Sequence, residues 1–196
     1  MIMKKLLTII SVLMMGVCAF TQTEFKGFHL SPNGYFETDE GKDFIVYPFE
    51  GKTSHEIYQM ICTNVGKTYA SPKSVMSNVE DASVAIRAYS DNMVFQKSYL
   101  GLKFFYSGYY NLLIEIKDGR VKVNAPVFGE MSGGAKDFGG GVPKDAVDVF
   151  KGFFDSKGKV KSKRAVWKTY VESKINEIYE TLLGIGSPQK AEEDNW

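Results

Sequence analysis

The sequence has little cysteine and little histidine, with two residues of each among its 196. The common structural zinc sites need four ligands drawn from these two residue types, so we expect no metal site. No cofactor motif is present either. The triple glycine at 139–141 is not followed by Gly-Lys-Ser/Thr but by Val142-Pro143, and Pro143 has no backbone N–H to offer a phosphate. We therefore expect no cofactor.

The sequence also lacks an excess of charge of either sign. Lys and Arg number 24 against 23 Asp and Glu, which gives a net charge of +1. Proteins that bind nucleic acid depend on an excess of basic side chains, so we expect no nucleic-acid partner. The short basic run at 157–164 is interpreted as a solvated entry to the last helix.

Only one long uncharged apolar stretch is present, at residues 6–19, and it follows Lys4 and Lys5. A charged start before an apolar stretch of this length is typical of a secretory signal, whereas a membrane-spanning helix needs about 20 apolar residues. The pattern predicts a signal peptide at 1–19 and no transmembrane segment. Cleavage is expected after Ala19 or, as the second choice, after Thr21.

Cys18 raises the possibility of a lipid anchor, which we do not favour. Val17 precedes it, whereas the lipoprotein motif places Gly, Ala or Ser at that position. If Cys18 is removed with the signal, Cys62 is left alone and cannot form an intramolecular disulfide. The expected product is an exported protein that is periplasmic, attached to the cell envelope or secreted.

The remaining chain is predicted to form an irregular N-terminal arm at 20–42, one α+β domain at 43–184, and a flexible tail at 185–196. Thr53 and Glu56 have the spacing of a capping box, which predicts a helix that ends at Gly66. Residues 67–81 are expected to be a connector.

Strand patterns follow from residue 82 onward. They predict a strand that ends at a turn over 90–92, a second strand at 94–106, and a turn at Ser107-Gly108. Asp118-Gly119 is expected to close a type I′ hairpin between 110–117 and 120–127.

The segment at 129–141 holds six glycines and is expected to be a loop. It precedes a short helix within 142–154. Apolar residues from Val166 to Leu182 recur at helical intervals, which predicts a long C-terminal helix ended by Gly184.

Three segments resemble a family of exported Bacteroidetes proteins of unknown function. They are FIVYPFEGKTSHEIYQ at 44–59, SVAIRAY at 83–89 and YNLLIEIKDGRVKV at 110–123. The resemblance implies a TBP-like fold, in which an antiparallel sheet of about five strands packs against one N-terminal and one long C-terminal helix. It implies no catalytic residues.

Few residues suggest a site. His55 and Cys62 could form a nucleophilic pair, but seven residues along a helix rise about 10 Å, so we expect no catalytic site there. Asp39, Glu40 and Asp43 lack the ligand pattern of a calcium loop and are interpreted as a solvated turn. Exposed aromatic residues often serve in binding, and Tyr106, Tyr109 and Tyr110 are therefore the candidate binding residues, although core packing explains them equally well.

These observations favour a non-catalytic exported module that binds a protein, peptide or glycan. Two alternatives stay open: a carboxylate-dependent hydrolase of the periplasm and a structural accessory of the cell envelope.

Overall fold

The computed structural model describes residues 25–99, 102–133 and 143–185, without the side chains of 95–103. The predicted signal peptide, its two cleavage sites, Cys18, most of the Gly-rich segment and nearly all of the C-terminal tail lie outside these ranges. Within them, no helix combines the length and the apolar character needed to cross a membrane.

The described residues form nine strands, four α-helices and one 3-10 helix. The strands are β1 (His29–Leu30), β2 (Phe36–Glu37), β3 (Phe44–Pro48), β4 (Met76–Val79), β5 (Ser83–Tyr99), β6 (Leu102–Lys117), β7 (Arg120–Asn124), β8 (Val127–Gly133) and β9 (Lys144–Asp145). The helices are α1 (Ser54–Thr68), α2 (Pro72–Val75), α3 (Ala146–Lys151) and α4 (Ala165–Leu183), with the 3-10 helix at Ser162–Arg164.

Seven strands form one antiparallel sheet. Its main path runs β3-β7-β6-β5-β4. The long strand β6 pairs with β5 along most of its length, while its other edge pairs first with β8 and then with β7. The expected α+β class and the five-strand path are thus confirmed, and β8 and β9 extend the sheet.

Helices α1 and α4 cover one face of this sheet. The apolar stripe of α1 includes Ile57, Ile61 and Val65, all fully buried, and α4 contributes Val171 and Ile175. Burial of such a side chain stabilises the fold by about 1.5–3 kcal/mol, so these stripes fix both helices on the sheet.

Two of the sequence signals for helix ends, one at the start of α1 and one at the end of α4, are confirmed. Thr53 and Glu56 form a capping box at the start of α1, and Gly184, with a φ of 63°, caps the end of α4. Gly66, however, does not end α1, because the helix continues to Thr68. The expected connector at 67–81 contains α2 and the edge strand β4, whose mostly exposed residues carry no alternating apolar signal.

The structure corrects the expected turns around β5 and β6. Residues 90–92 lie within β5, where the pairing register shifts between Ser90 and Val94 as at a β-bulge. The chain reverses between Tyr99 and Leu102, which pair with each other, so 94–106 is not one strand. Ser107-Gly108 lies inside β6.

The first part of the expected Gly-rich loop is strand β8, which pairs with β6. Glycine allows the two backbones to approach. A Cβ on Gly108 would lie 2.8 Å from the carbonyl oxygen of Glu130, and one on Gly133 would overlap the ring of Tyr106. The glycines therefore mark close strand packing.

The hairpin between β6 and β7 has the expected two-residue loop, with Lys117 paired to Arg120. A type I′ turn needs a positive φ at both loop residues. Gly119 has a φ of 71°, but Asp118 does not have a positive φ, because Asp81 is the one non-glycine residue with a positive φ among those described. The loop is therefore not a type I′ turn. The Asp118 carboxylate instead accepts a hydrogen bond from Ser54 N at 2.6 Å.

The part of the N-terminal arm that is described packs onto the domain. Strands β1 and β2 pair with each other, and Phe28, Leu30 and Phe36 are buried in the core. The side chain of Asn176 on α4 accepts a hydrogen bond from Phe28 N at 2.9 Å and donates one to Phe28 O at 3.0 Å. This pair of bonds ties the arm to α4.

Candidate functional site

The second face of the sheet is covered by none of the helices that the structure describes, and it is the candidate site. Side chains alternate between the two faces of a strand. In β6, Leu112 and Ile114 are buried beneath the helices, whereas Asn111 and Leu113 lie on the opposite, more exposed face. We call this surface the open face.

Two tyrosines from neighbouring strands stand together on the open face. Tyr89 of β5 pairs in register with Tyr109 of β6. Their ring centroids lie 5.1 Å apart at an interplanar angle of 62°, and they are 47% and 48% exposed. The guanidinium carbon of Arg87 lies 5.1 Å from the centroid of the Tyr109 ring. This edge-to-face pair with an adjacent cation presents aromatic surface to solvent.

A shallow groove of about 820 Å³ lies on the open face and shares Arg87 with this cluster. Arg87 and Asn111 line the groove. They pair with each other in register, two residues before Tyr89 in β5 and two residues after Tyr109 in β6. The walls of the groove combine apolar and polar side chains. They include Tyr35, Asp43, Ser77, Ala85, Leu113, Asn124, Pro126 and Val127.

The charges that line the groove balance one another. Arg87 and Asp43 contribute one charge of each sign to the groove. Beside it, Lys122 Nζ lies 3.0 Å from Glu115 Oε1. The side chains of Asn124 and Lys122 donate hydrogen bonds to the Glu115 carboxylate and hold its pKa below the usual range. The groove lining therefore carries no net charge that would favour a strongly charged ligand.

The three candidate tyrosines occupy different environments. Tyr109 lies on the open face, as described. Tyr110 is 4% exposed, its hydroxyl is 3.1 Å from that of Tyr69, and burial raises the pKa of both phenols. Tyr106 lies over Gly133 and lines a different cavity. Tyr89 and Arg87, which complete the cluster around Tyr109, were not among the predicted site residues.

That second cavity, of about 590 Å³, lies between β6, α3 and the start of α4. Arg164 stacks over Trp167, with 3.5 Å between the guanidinium carbon and the ring centroid. Two carboxylates line the cavity, those of Asp145 and Asp148. The Asp145 carboxylate caps α3 by accepting a hydrogen bond from Val147 N at 2.7 Å.

His55 and Cys62 have different partners. The exposed His55 has its Nδ1 3.0 Å from Oδ1 of Asp81, while Cys62 is half-buried against the core and contacts the hydroxyl of Tyr58. The turn between β4 and β5 also brings Glu80 close. One ligand atom from each of His55, Glu80 and Asp81 lies within 4.8 Å of the others. Sequence reasoning missed this group because β4 was not predicted.

The acidic residues at 39–43 do not act as one cluster. Glu40 pairs with Lys42 at 2.5 Å, and Asp39 lies 3.4 Å from His29 Nδ1. Asp43 lines the groove.

Comparison with known proteins identifies the fold. No protein-family model matches the sequence, and no curated protein matches it. The chain is similar to the crystal structure of a DUF4468 family protein from Bacteroides ovatus, with 11% identity and a TM-score of 0.55 over 81% of this chain and 90% of that one. It is also similar to a TBP-like protein from Parabacteroides distasonis, with 11% identity and a TM-score of 0.48 over 73% and 92% of the chains. The first match shows that the chain shares the fold of the DUF4468 family protein.

Proposed function

We propose that the protein is an exported, non-catalytic binding module of the cell envelope, and that its open face binds a neutral glycan. The observation that carries this proposal is the exposed pair of Tyr89 and Tyr109 next to Arg87, which lines the groove. Aromatic rings contact the apolar faces of sugar rings, and the amides and charged groups beside them can hydrogen-bond sugar hydroxyls.

The chemistry of the open face favours a glycan over an extended peptide. A peptide that joins a sheet does so at an edge, where backbone N–H and C=O groups are unpaired. The groove lies over β5 and β6, which hydrogen-bond to each other, so recognition there depends on side chains. Arg87, Asn111, Asp43 and Asn124 supply both donors and acceptors without a net charge. The groove volume also falls in the range of about 300–1,000 Å³ usual for small-ligand sites.

Titration with neutral oligosaccharides tests this function. Soluble gluco-, xylo- and manno-oligosaccharides and N-acetylglucosamine oligomers are the probes, with unstructured peptides of similar length as the comparison set. We expect at least one oligosaccharide to bind in isothermal titration calorimetry. Tyr109→Ala should weaken that binding about fivefold, since an aromatic contact contributes about 1 kcal/mol.

Val166→Ala is the matched control, because Val166 is 66% exposed and lies on α4 rather than in the sheet. Binding of the peptides instead of the oligosaccharides would contradict the proposed ligand class. Release of shorter sugars during incubation would favour the hydrolase alternative. An unchanged affinity in Tyr109→Ala would place the ligand elsewhere.

Export is tested on the protein isolated from the cells that make it. Intact mass spectrometry should find an N-terminus created by cleavage after Ala19 or Thr21. A chain that retains Met1 would contradict export. A lipid on Cys18 would show that the exported protein is anchored rather than free.

A further inference from the structure

We propose that His55, Glu80 and Asp81 bind one divalent transition-metal ion of the zinc class. His55 lies in the first turn of α1, and the two acidic residues form the turn between β4 and β5. One ligand atom of each lies within 4.8 Å of the other two, so a single ion can contact all three side chains after small rotations.

The donor set selects the class of ion. One imidazole nitrogen with two carboxylate oxygens suits zinc and its neighbours among the transition metals, whereas calcium and magnesium prefer sets made of oxygen alone. The two carboxylates would balance the two charges of the ion. Nδ1 of His55 lies 3.0 and 3.2 Å from the two oxygens of Asp81, so one ion could contact this nitrogen and the Asp81 carboxylate together.

Separate hydrogen bonds hold the two halves of the group in place. The start of α1 is fixed by its capping box and by the bond from Ser54 N to Asp118. The turn between the strands is fixed by the bond from Ala82 N to Val79 O at 3.1 Å and by the bond from Ile116 N to Ala82 O at 2.7 Å. The backbone segments that carry the ligands are therefore positioned before an ion arrives.

The helix N-terminus does not need Glu80 or Asp81 as caps. Its partial positive charge would oppose a nearby cation, but the carboxylates of Glu56 and Asp118 already accept hydrogen bonds from Thr53 N and Ser54 N.

The second histidine provides a natural comparison. His29 also lies between two carboxylates, but its Nε2 faces Glu37 at 3.8 Å while its Nδ1 faces Asp39 at 3.4 Å. The carboxylates are on opposite sides of the ring, so one ion cannot bind one ring nitrogen of His29 and both acids together. His29 is therefore the matched control for His55.

Titration of the tag-free chain with zinc chloride tests the proposal. We expect one zinc ion per chain by calorimetry, with affinity reduced at least about tenfold in His55→Gln and in Asp81→Asn. Asparagine tolerates the positive φ of 57° at position 81, so this variant keeps the turn. His29→Gln should bind zinc as the unaltered chain does.

Nuclear magnetic resonance supplies a second readout that does not depend on affinity. The chain has two histidines, so its imidazole signals form two sets. Zinc should shift the Nδ1 signal of His55 and leave that of His29 in place. The proposal is overturned if His55→Gln binds zinc unchanged, if His29→Gln loses binding equally, or if equimolar calcium displaces the zinc.

Discussion

The two hydrogen bonds between Asn176 and Phe28 allow a quantitative prediction for Asn176→Ala. The variant leaves the N–H and C=O of Phe28 without partners at a residue that is 2% exposed. Each lost bond to a buried backbone group costs about 1.5 kcal/mol, or about 3 kcal/mol for the pair. Alanine regains about 0.6 kcal/mol of helix propensity over asparagine. The expected net loss in the free energy of unfolding is therefore about 2.5 kcal/mol.

Urea denaturation followed by circular dichroism measures this loss. With a slope of about 2 kcal/mol per molar urea, the unfolding midpoint should fall by about 1.2 M. Glu177→Ala is the matched control, because Glu177 is the next residue on α4 and is exposed. Its midpoint should move by less than about 0.25 M.

Hydrogen exchange identifies the cause of the change. The amide of Phe28 should be protected in the unaltered chain and exchange faster in Asn176→Ala, whereas amides in the centre of β6 should keep their protection below global unfolding. If Asn176→Ala unfolds at the same urea concentration as Glu177→Ala, the arm is not fixed by these bonds and the reasoning is refuted.

Two further predictions concern β8 and the start of α1. Gly133→Ala should destabilise the protein by about 1–3 kcal/mol in urea denaturation, because its Cβ would overlap the ring of Tyr106. Gly129→Ala on the same strand, where the new Cβ would lie 3.9 Å from the nearest atom, should have little effect, and equal losses would refute the steric argument. A hydrogen bond from Thr53 N holds the pKa of Glu56 below its ordinary value of 4.5, so its contribution to stability is present above about pH 4.5 and is lost as the pH falls further. The gap in urea midpoint between the unaltered chain and Glu56→Gln should thus be wider at pH 7 than at pH 3, and a constant gap would contradict this.

Much of the helical structure could be predicted because its signals are local. The capping box at Thr53 and the glycine at 184 each lie within one turn of the helix end they define. The strands that were missed depend on pairing instead. Strand β4 is exposed along most of its length, and β8 is rich in glycine, so neither carries the alternating apolar pattern from which a strand is predicted.

The candidate sites were harder to predict than the fold. Tyr109 was identified from its type and neighbours, but its partner Tyr89 is 20 positions earlier, and only the register of β5 on β6 brings the rings together. The approach of Glu80 and Asp81 to His55 depends on β4 in the same way. Sequence proximity suggested Tyr110 equally well, although it faces the core.

Gly108 determines which of two adjacent, chemically identical side chains reaches solvent. Tyr109 and Tyr110 point to opposite faces of β6, and a slip of one residue would exchange them. Their own chemistry gives little preference for either arrangement. At Gly108, opposite Met131, a side chain would collide with the backbone of β8, so a slipped register that moves Ser107 or Tyr109 to that position is penalised sterically. The absence of a side chain at Gly108 thus favours the register in which Tyr109 is exposed and Tyr110 is buried.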